Sequence, residues 1–217
     1  MSMEKDNILG NVRKAIFDYD KEGLIELVKK YIEINIDPLD VFKEMTVSIR
    51  GVGDLFNSGE LFLPELIAAS DTMQGAVPLL EEAMRKKGLT RKTEGVVVIG
   101  TVFGDVHSIG KNMVATLLIS EGFKVKDIGI NVSADSFMDA IEKENADILA
   151  MSALLTTTMN EQEKVISMLK RKNLRGKIKV MVGGAPITDA FAKEIGADGY
   201  APSATEAVKL AKQLLGK

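Results

Sequence analysis

The sequence predicts an α/β protein in two parts: an N-terminal four-helix bundle cap, then a doubly wound, five-stranded parallel sheet. Two observations carry this. The hydrophobic periodicity changes character near residue 90, and beyond it short β-branched runs alternate with amphipathic stretches. A third observation bears on use: the only histidine in 217 residues, His107, stands just after the first of those runs.

Before residue 90, apolar residues recur at helical spacing, as at Leu24, Leu27, Val28 and Tyr31, or at Leu66, Ile67, Met73, Val77 and Leu80. Four helices fit, over 3–18, 21–34, 39–56 and 63–88. Asp37-Pro38 suits a helix start, Asn57-Ser58-Gly59 a turn, and Pro64 the first turn of the fourth helix. Pro78 is expected to kink that helix. The charged stretch 86–94, carrying Gly88, is the expected linker between a helical cap domain, 1–90, and a second domain, 91–217. In that second domain strands are expected at 96–102, 123–128, 147–152, 178–182 and, weakly, 199–201. Helices are expected at 109–121, 134–144, 159–172, 187–195 and 204–215. Parallel strands joined in this way need right-handed crossovers, which put helices on both faces of a flavodoxin-like or Rossmann-like sheet.

Composition narrows the function. With 46% apolar residues the chain has ample core, and its net charge of −3, from 28 basic and 31 acidic residues without a basic stripe, disfavours nucleic acid as a partner. The absence of cysteine excludes disulfides, thiolate metal sites, iron–sulfur clusters and a cysteine nucleophile, so any metal must take nitrogen or oxygen ligands. Residues 1–10 lack the apolar core of a signal peptide and no apolar run approaches a membrane span, so the expectation is a cytoplasmic protein with no membrane partner.

Open α/β sheets bind ligands beyond the carboxyl ends of their strands. Three segments arrive there: Gly104-Asp105-Val106-His107-Ser108-Ile109-Gly110, then Ser152-Ala153-Leu154-Leu155-Thr156-Thr157-Thr158, then Gly183-Gly184-Ala185. Gly104 and Gly110 permit backbone shapes closed to other residues, and Gly183-Gly184 removes side chains where a flat group could slide between strands. The first turn lacks the close glycine pair of a dinucleotide fingerprint, and no P-loop is present. Read alone, each residue has a plainer alternative. His107 could be structural, Asp105 could cap the following helix, the threonines could start one, and Phe56 and Leu63 could be ordinary core. Met151, Met159, Met168 and Met181 read as packing residues.

Together the three segments resemble the cobalamin-binding domains that carry Asp-x-His-x-x-Gly, Ser-x-Leu and Gly-Gly. Here these are Asp105 to Gly110, Ser152-Ala153-Leu154 and Gly183-Gly184, separated by 41 residues (111–151) and 28 residues (155–182). The stretch from Val52-Gly53-Asp54-Leu55-Phe56 to Leu61-Phe62-Leu63-Pro64 is similar to the helical cap of methyl-carrying members, so the resemblance spans nearly the whole chain. It extends to the small corrinoid proteins of methanol, methylamine and betaine methyltransferase systems and to the cobalamin-binding module of methionine synthase.

The resemblance implies a cobalamin or related corrinoid that alternates between methylcobalamin and cob(I)alamin, with its nucleotide tail buried in the slot. His107 would be the lower axial ligand of cobalt, Asp105 the carboxylate on its other nitrogen, and Thr158 the hydroxyl that continues the relay, where methionine synthase has serine. Gly104, Val106, Ser108, Gly110 and Leu154 would belong to the cofactor loops. Ser152, Thr156, Gly183 and Gly184 would line the tail slot, and Phe56 and Leu63 would cover the upper face, with 86–94 as hinge. The implied partners are a substrate-specific methyltransferase, a second methyltransferase acting on coenzyme M or tetrahydrofolate, and a reductive activase; the chain itself would be a carrier subunit and not an enzyme. Alternatives are an adenosylcobalamin-dependent mutase subunit, disfavoured by the cap, and a cobalamin-dependent sensor. The methyl donor is left open among methylamines, methanol, betaine and methoxylated aromatics.

Overall fold

The computed structural model describes residues 2–89 and 93–217. Residues 90–92, at the centre of the expected linker and spanning the expected domain boundary, lie outside the described residues. The chain divides into two compact units, Met1–Lys92 and Thr93–Lys217.

The first unit contains α1 (Ser2–Phe17), α2 (Lys21–Glu33), α3 (Pro38–Ser58) and α4 (Leu63–Lys86). Their apolar stripes meet in a core of Val12, Ile16, Leu24, Val28, Met45, Ile49, Leu66 and Leu80, all wholly buried. Local chemistry sets the ends. The Asp20 carboxylate accepts from Gly23 N–H, and the Asp37 carboxylate from Leu39 N–H with Pro38 opening the helix. Asn57 and Ser58 are helical and not part of a turn, because Gly59, at φ 81°, closes α3 by donating to the Phe56 carbonyl at 3.1 Å. The Phe62 N–H donates to the Glu65 carboxylate at 2.7 Å to start α4, which continues through Pro78 as one helix.

The second unit alternates β1 (Val96–Thr101), α5 (Ile109–Ser120), β2 (Lys124–Asp127), α6 (Ala134–Glu144), β3 (Ile148–Ser152), α7 (Asn160–Arg171), β4 (Lys179–Gly183), α8 (Asp189–Ile195), β5 (Gly199–Tyr200) and α9 (Ala204–Leu214). The strands are parallel in the order β2-β1-β3-β4-β5, the flavodoxin-type winding. The connection after β1 runs to β2 on one side and the connection after β3 runs to β4 on the other, so the topological switch point lies between β1 and β3. Val98, Leu149, Met151 and Val180 pack against Phe137, Met138, Ile166 and Leu169 of α6 and α7. On the opposite face, under α5 and α9, the register aligns Ile99, Ala150, Met181 and Gly199 in one row. Among the described residues no helix is long and apolar enough to cross a membrane.

Candidate functional site

The site is assembled from the β1 end of the sheet outward. After Thr101 the chain turns through Gly104, whose φ of 78° favours glycine and whose N–H donates to the Asn131 side-chain oxygen at 2.7 Å. Asn131, itself left-handed at φ 53°, also donates its N–H to the Asp105 carbonyl at 2.9 Å, which fixes the turn from the β2 side. The wholly buried Thr101 hydroxyl donates to the His107 carbonyl at 2.8 Å. The backbone that carries the imidazole is thus tied to the sheet.

Asp105 is wholly buried. Its Oδ1 accepts from His107 N–H at 3.0 Å and faces His107 Nδ1 at 2.8 Å. Its Oδ2 accepts from Leu154 N–H at 2.7 Å, Leu155 N–H at 3.3 Å and the Thr158 hydroxyl at 2.7 Å. Burial pushes its pKa up, but the donors from His107, Leu154 and Thr158 outweigh that effect and hold the carboxyl well below the ordinary carboxylate range. An ionised carboxylate only accepts, so the proton of a neutral His107 sits on Nδ1 and the Nε2 lone pair is left free. The imidazole side chain is 46% exposed, so that lone pair is accessible. Asp105 is therefore a hydrogen-bonding partner of the ring and not the cap of α5, whose N-cap is Ser108.

Around the imidazole the loops after β1, β2 and β3, with the first residue of α5, hold six apolar side chains in the open: Phe103, Val106, Ile109, Ile130, Leu154 and Leu155, each between 41% and 72% exposed. Apolar exposure on this scale marks a binding surface. Beside it a cavity of about 740 Å³ runs into the α5/α9 face, lined by His107, Ser108, Gly110, Ser152, Leu154, Gly183 and Gly184 among others. Small residues keep it open. A side chain at Gly184, φ 129°, would put its Cβ 1.7 Å from the Ala153 carbonyl oxygen, so only glycine fits where β3 and β4 end.

These features point the same way as the comparisons with known proteins. Residues 95–209 match the B12 binding domain family, and residues 9–81 match a second family of the same description. The chain belongs to the B12-binding family. This B12-binding protein is 45% identical over 212 residues to dimethylamine corrinoid protein 2 of Methanosarcina acetivorans, covering 97% of each chain. It is 40% identical over 213 residues to a corrinoid protein of Desulfitobacterium hafniense (strain Y51), covering 97% of this chain and 99% of that one. Among solved structures it is similar to the methanol:cobalamin methyltransferase complex MtaBC of Methanosarcina barkeri, with 33% identity and a TM-score of 0.83, covering 98% of this chain and 81% of that one.

The residues of the B12-binding protein fit a corrinoid. Among the described residues no three His, Cys, Asp or Glu side chains converge on a metal, so a metal at His107 Nε2 would bring its other ligands with it, as a corrin does. The exposed apolar rim suits a macrocycle face, and the cavity suits a nucleotide tail. Of the residues singled out in the sequence, Gly104, Asp105, Val106, His107, Ser108, Gly110, Ser152, Leu154, Thr158, Gly183 and Gly184 come together in this one region. Thr156 does not line the cavity: the 155–159 turn, closed by Thr158 and Met159 N–H groups on the Leu155 carbonyl, directs Thr158 inward and leaves Thr156 exposed. Phe56, at the end of α3, and Leu63, opening α4, belong to the first unit and are each half-buried.

Four contributors were missed from sequence. Asn131 and Thr101 hold the histidine loop. Lys111, buried, pairs with Asp127 at the end of β2 and with the Asn112 side chain. Its signal was available, since it is the only charged residue in α5. Gln162, wholly buried, donates through Nε2 to the Met151 and Gly183 carbonyls, each at 3.2 Å, and so ties the ends of β3 and β4 together. Nothing in its charged, amphipathic helix announces that role. Met181, read as packing, lines the cavity, whereas Met151, which borders it, packs in the α6/α7 core as do Met159 and Met168.

Proposed function

We propose that this protein is a corrinoid methyl carrier, a subunit that receives a methyl group from a substrate-specific methyltransferase and delivers it to a second methyltransferase acting on coenzyme M or tetrahydrofolate. The observation that carries the reading is the His107–Asp105–Thr158 chain, which presents an accessible Nε2 lone pair at the mouth of a deep cavity in a member of the B12-binding family. The named relatives, a dimethylamine corrinoid protein and a methanol:cobalamin methyltransferase complex, support the methyltransferase setting. They also differ in methyl donor, so likeness to them leaves the donor open.

In this reading a bound corrinoid's cobalt supplies the centre that takes up and gives up the methyl group. The chain supplies the rest. His107 Nε2 would be the nitrogen that holds the metal, and Asp105 keeps the proton on Nδ1, which would strengthen Nε2 as a ligand. Thr158 and the 154–155 amides keep Asp105 ionised, so the carboxylate stays an acceptor for the ring N–H. Ser152, Gly183 and Gly184 line the seat of the tail. Phe56 and Leu63 would be the first unit's contribution to corrinoid binding, supported by the match of residues 9–81 to a B12 binding family. The methyltransferase setting of the relatives supports a chain that works through partner enzymes, and a reductive activase is the partner that would restore an oxidised cofactor.

The test is reconstitution with hydroxocobalamin. Wild type is expected to retain one corrinoid per chain after desalting, with the absorption spectrum of a corrinoid whose own base is displaced by imidazole. His107→Ala is expected to retain the corrinoid through the tail seat but to lose the imidazole signature and at least about tenfold in methyl-transfer rate. An unchanged spectrum in His107→Ala would overturn the ligand assignment.

A further inference from the structure

The cavity is graded in polarity. Its mouth carries the hydroxyls of Ser108, Ser152 and Ser203. One pleat repeat deeper, the β1, β3 and β4 positions facing inward become Ile99, Ala150 and Met181, aligned in register. The helices over this floor add Met113 and Val114 from α5 and Ala207 from α9. None of these six side chains carries a hydrogen-bonding N–H or O–H, and the backbone groups of the floor strands are engaged in the parallel ladder. Ala150 and Ala207 present only a methyl group each, while the thioethers of Met113 and Met181 adapt to the edge of an aromatic ring. Of the polar residues that also border the cavity, Lys111 is held by Asp127 and Asn112 and Tyr200 packs against the α6/α7 core, so the inner end offers an apolar cleft and the outer end offers hydroxyls for a ribose phosphate.

We infer that this floor selects the base of the corrinoid tail. It favours a bicyclic aromatic base with an apolar outer edge, of the benzimidazole class, over a purine carrying an exocyclic amine. The amine and ring nitrogens of a purine would lose their water on entry and find no partner among Ile99, Met113, Val114, Ala150 and Met181, whereas methyl groups on a benzimidazole would add apolar contact. Selection is bounded, because an apolar pocket rejects a polar analogue of the same shape by no more than about a hundredfold. The inference rests on the reading that the tail occupies this cavity, and the experiment separates the two.

The apo-protein is titrated, with visible absorption as readout, with three corrinoids: cobalamin, whose base is 5,6-dimethylbenzimidazole, its adenine counterpart, and tail-less cobinamide. Cobalamin is expected to bind about 10- to 100-fold more tightly than the adenine cobamide, with cobinamide weakest. Met181→Gln, which sets an amide on the floor, is expected to bring the two tailed forms within about threefold. Equal affinity for the two tailed forms, with cobinamide still weak, would overturn base selection and leave the tail seat standing. Equal affinity for all three would remove the tail from the cavity and base selection with it. The wild-type ranking decides even if Met181→Gln does not fold.

Discussion

Asp105 is the residue on which the site's chemistry turns, because five donors converge on a carboxylate that has no contact with water. Its carboxyl is held below the ordinary carboxylate value, so the stabilisation it gives is complete above about pH 4 and is lost as pH falls through the folded-state value. Asp105→Asn turns one acceptor oxygen into a donor facing N–H groups, and is expected to destabilise the apo-protein by about 2–3 kcal/mol at pH 7. The difference from wild type is expected to shrink as pH drops below about 4, read by urea unfolding across a pH series. Thr158→Val keeps the shape and removes one donor; a loss of about 1 kcal/mol in stability and a shift in the imidazole-bound corrinoid spectrum are expected, with Thr158→Ser restoring both. A purely structural threonine would show the first effect and not the second.

At the scale of elements, strands and helices were legible because each carries its own period and its own stop signals. The predicted helix at 134–144 is α6, bounded by a Ser133 hydroxyl that accepts from Ser136 N–H and by the left-handed Asn145. The weak fifth strand is the two-residue β5, which pairs with Met181 and Val182 and owes its existence to that neighbour more than to its own residues. The three site loops were legible through glycine and histidine spacing, whereas Gln162 and Asn131 were not, since a tie between two loops depends on which strands become neighbours. The same dependence makes Gly184 critical. Gly184→Ala must displace the Ala153 carbonyl, and it is expected to lose more than about 2 kcal/mol of stability together with corrinoid binding, measured by thermal unfolding and by titration.

At the scale of the whole molecule, the chain carries two compact units. Corrinoid at about a thousand times its Kd is expected to stabilise the 93–217 unit by about 4 kcal/mol, seen as slower amide hydrogen exchange in β1, β3 and β4. If exchange there is unaltered by the ligand, the cavity on that unit is not its seat. The divided architecture has a further consequence. A graft that joins residues 1–89 of this chain to the corrinoid half of a dimethylamine relative would leave both interiors intact, and so would report which half a donor-specific enzyme recognises. Partner choice could then be mapped as a heritable, transplantable trait of one segment, separate from the metal chemistry of the other.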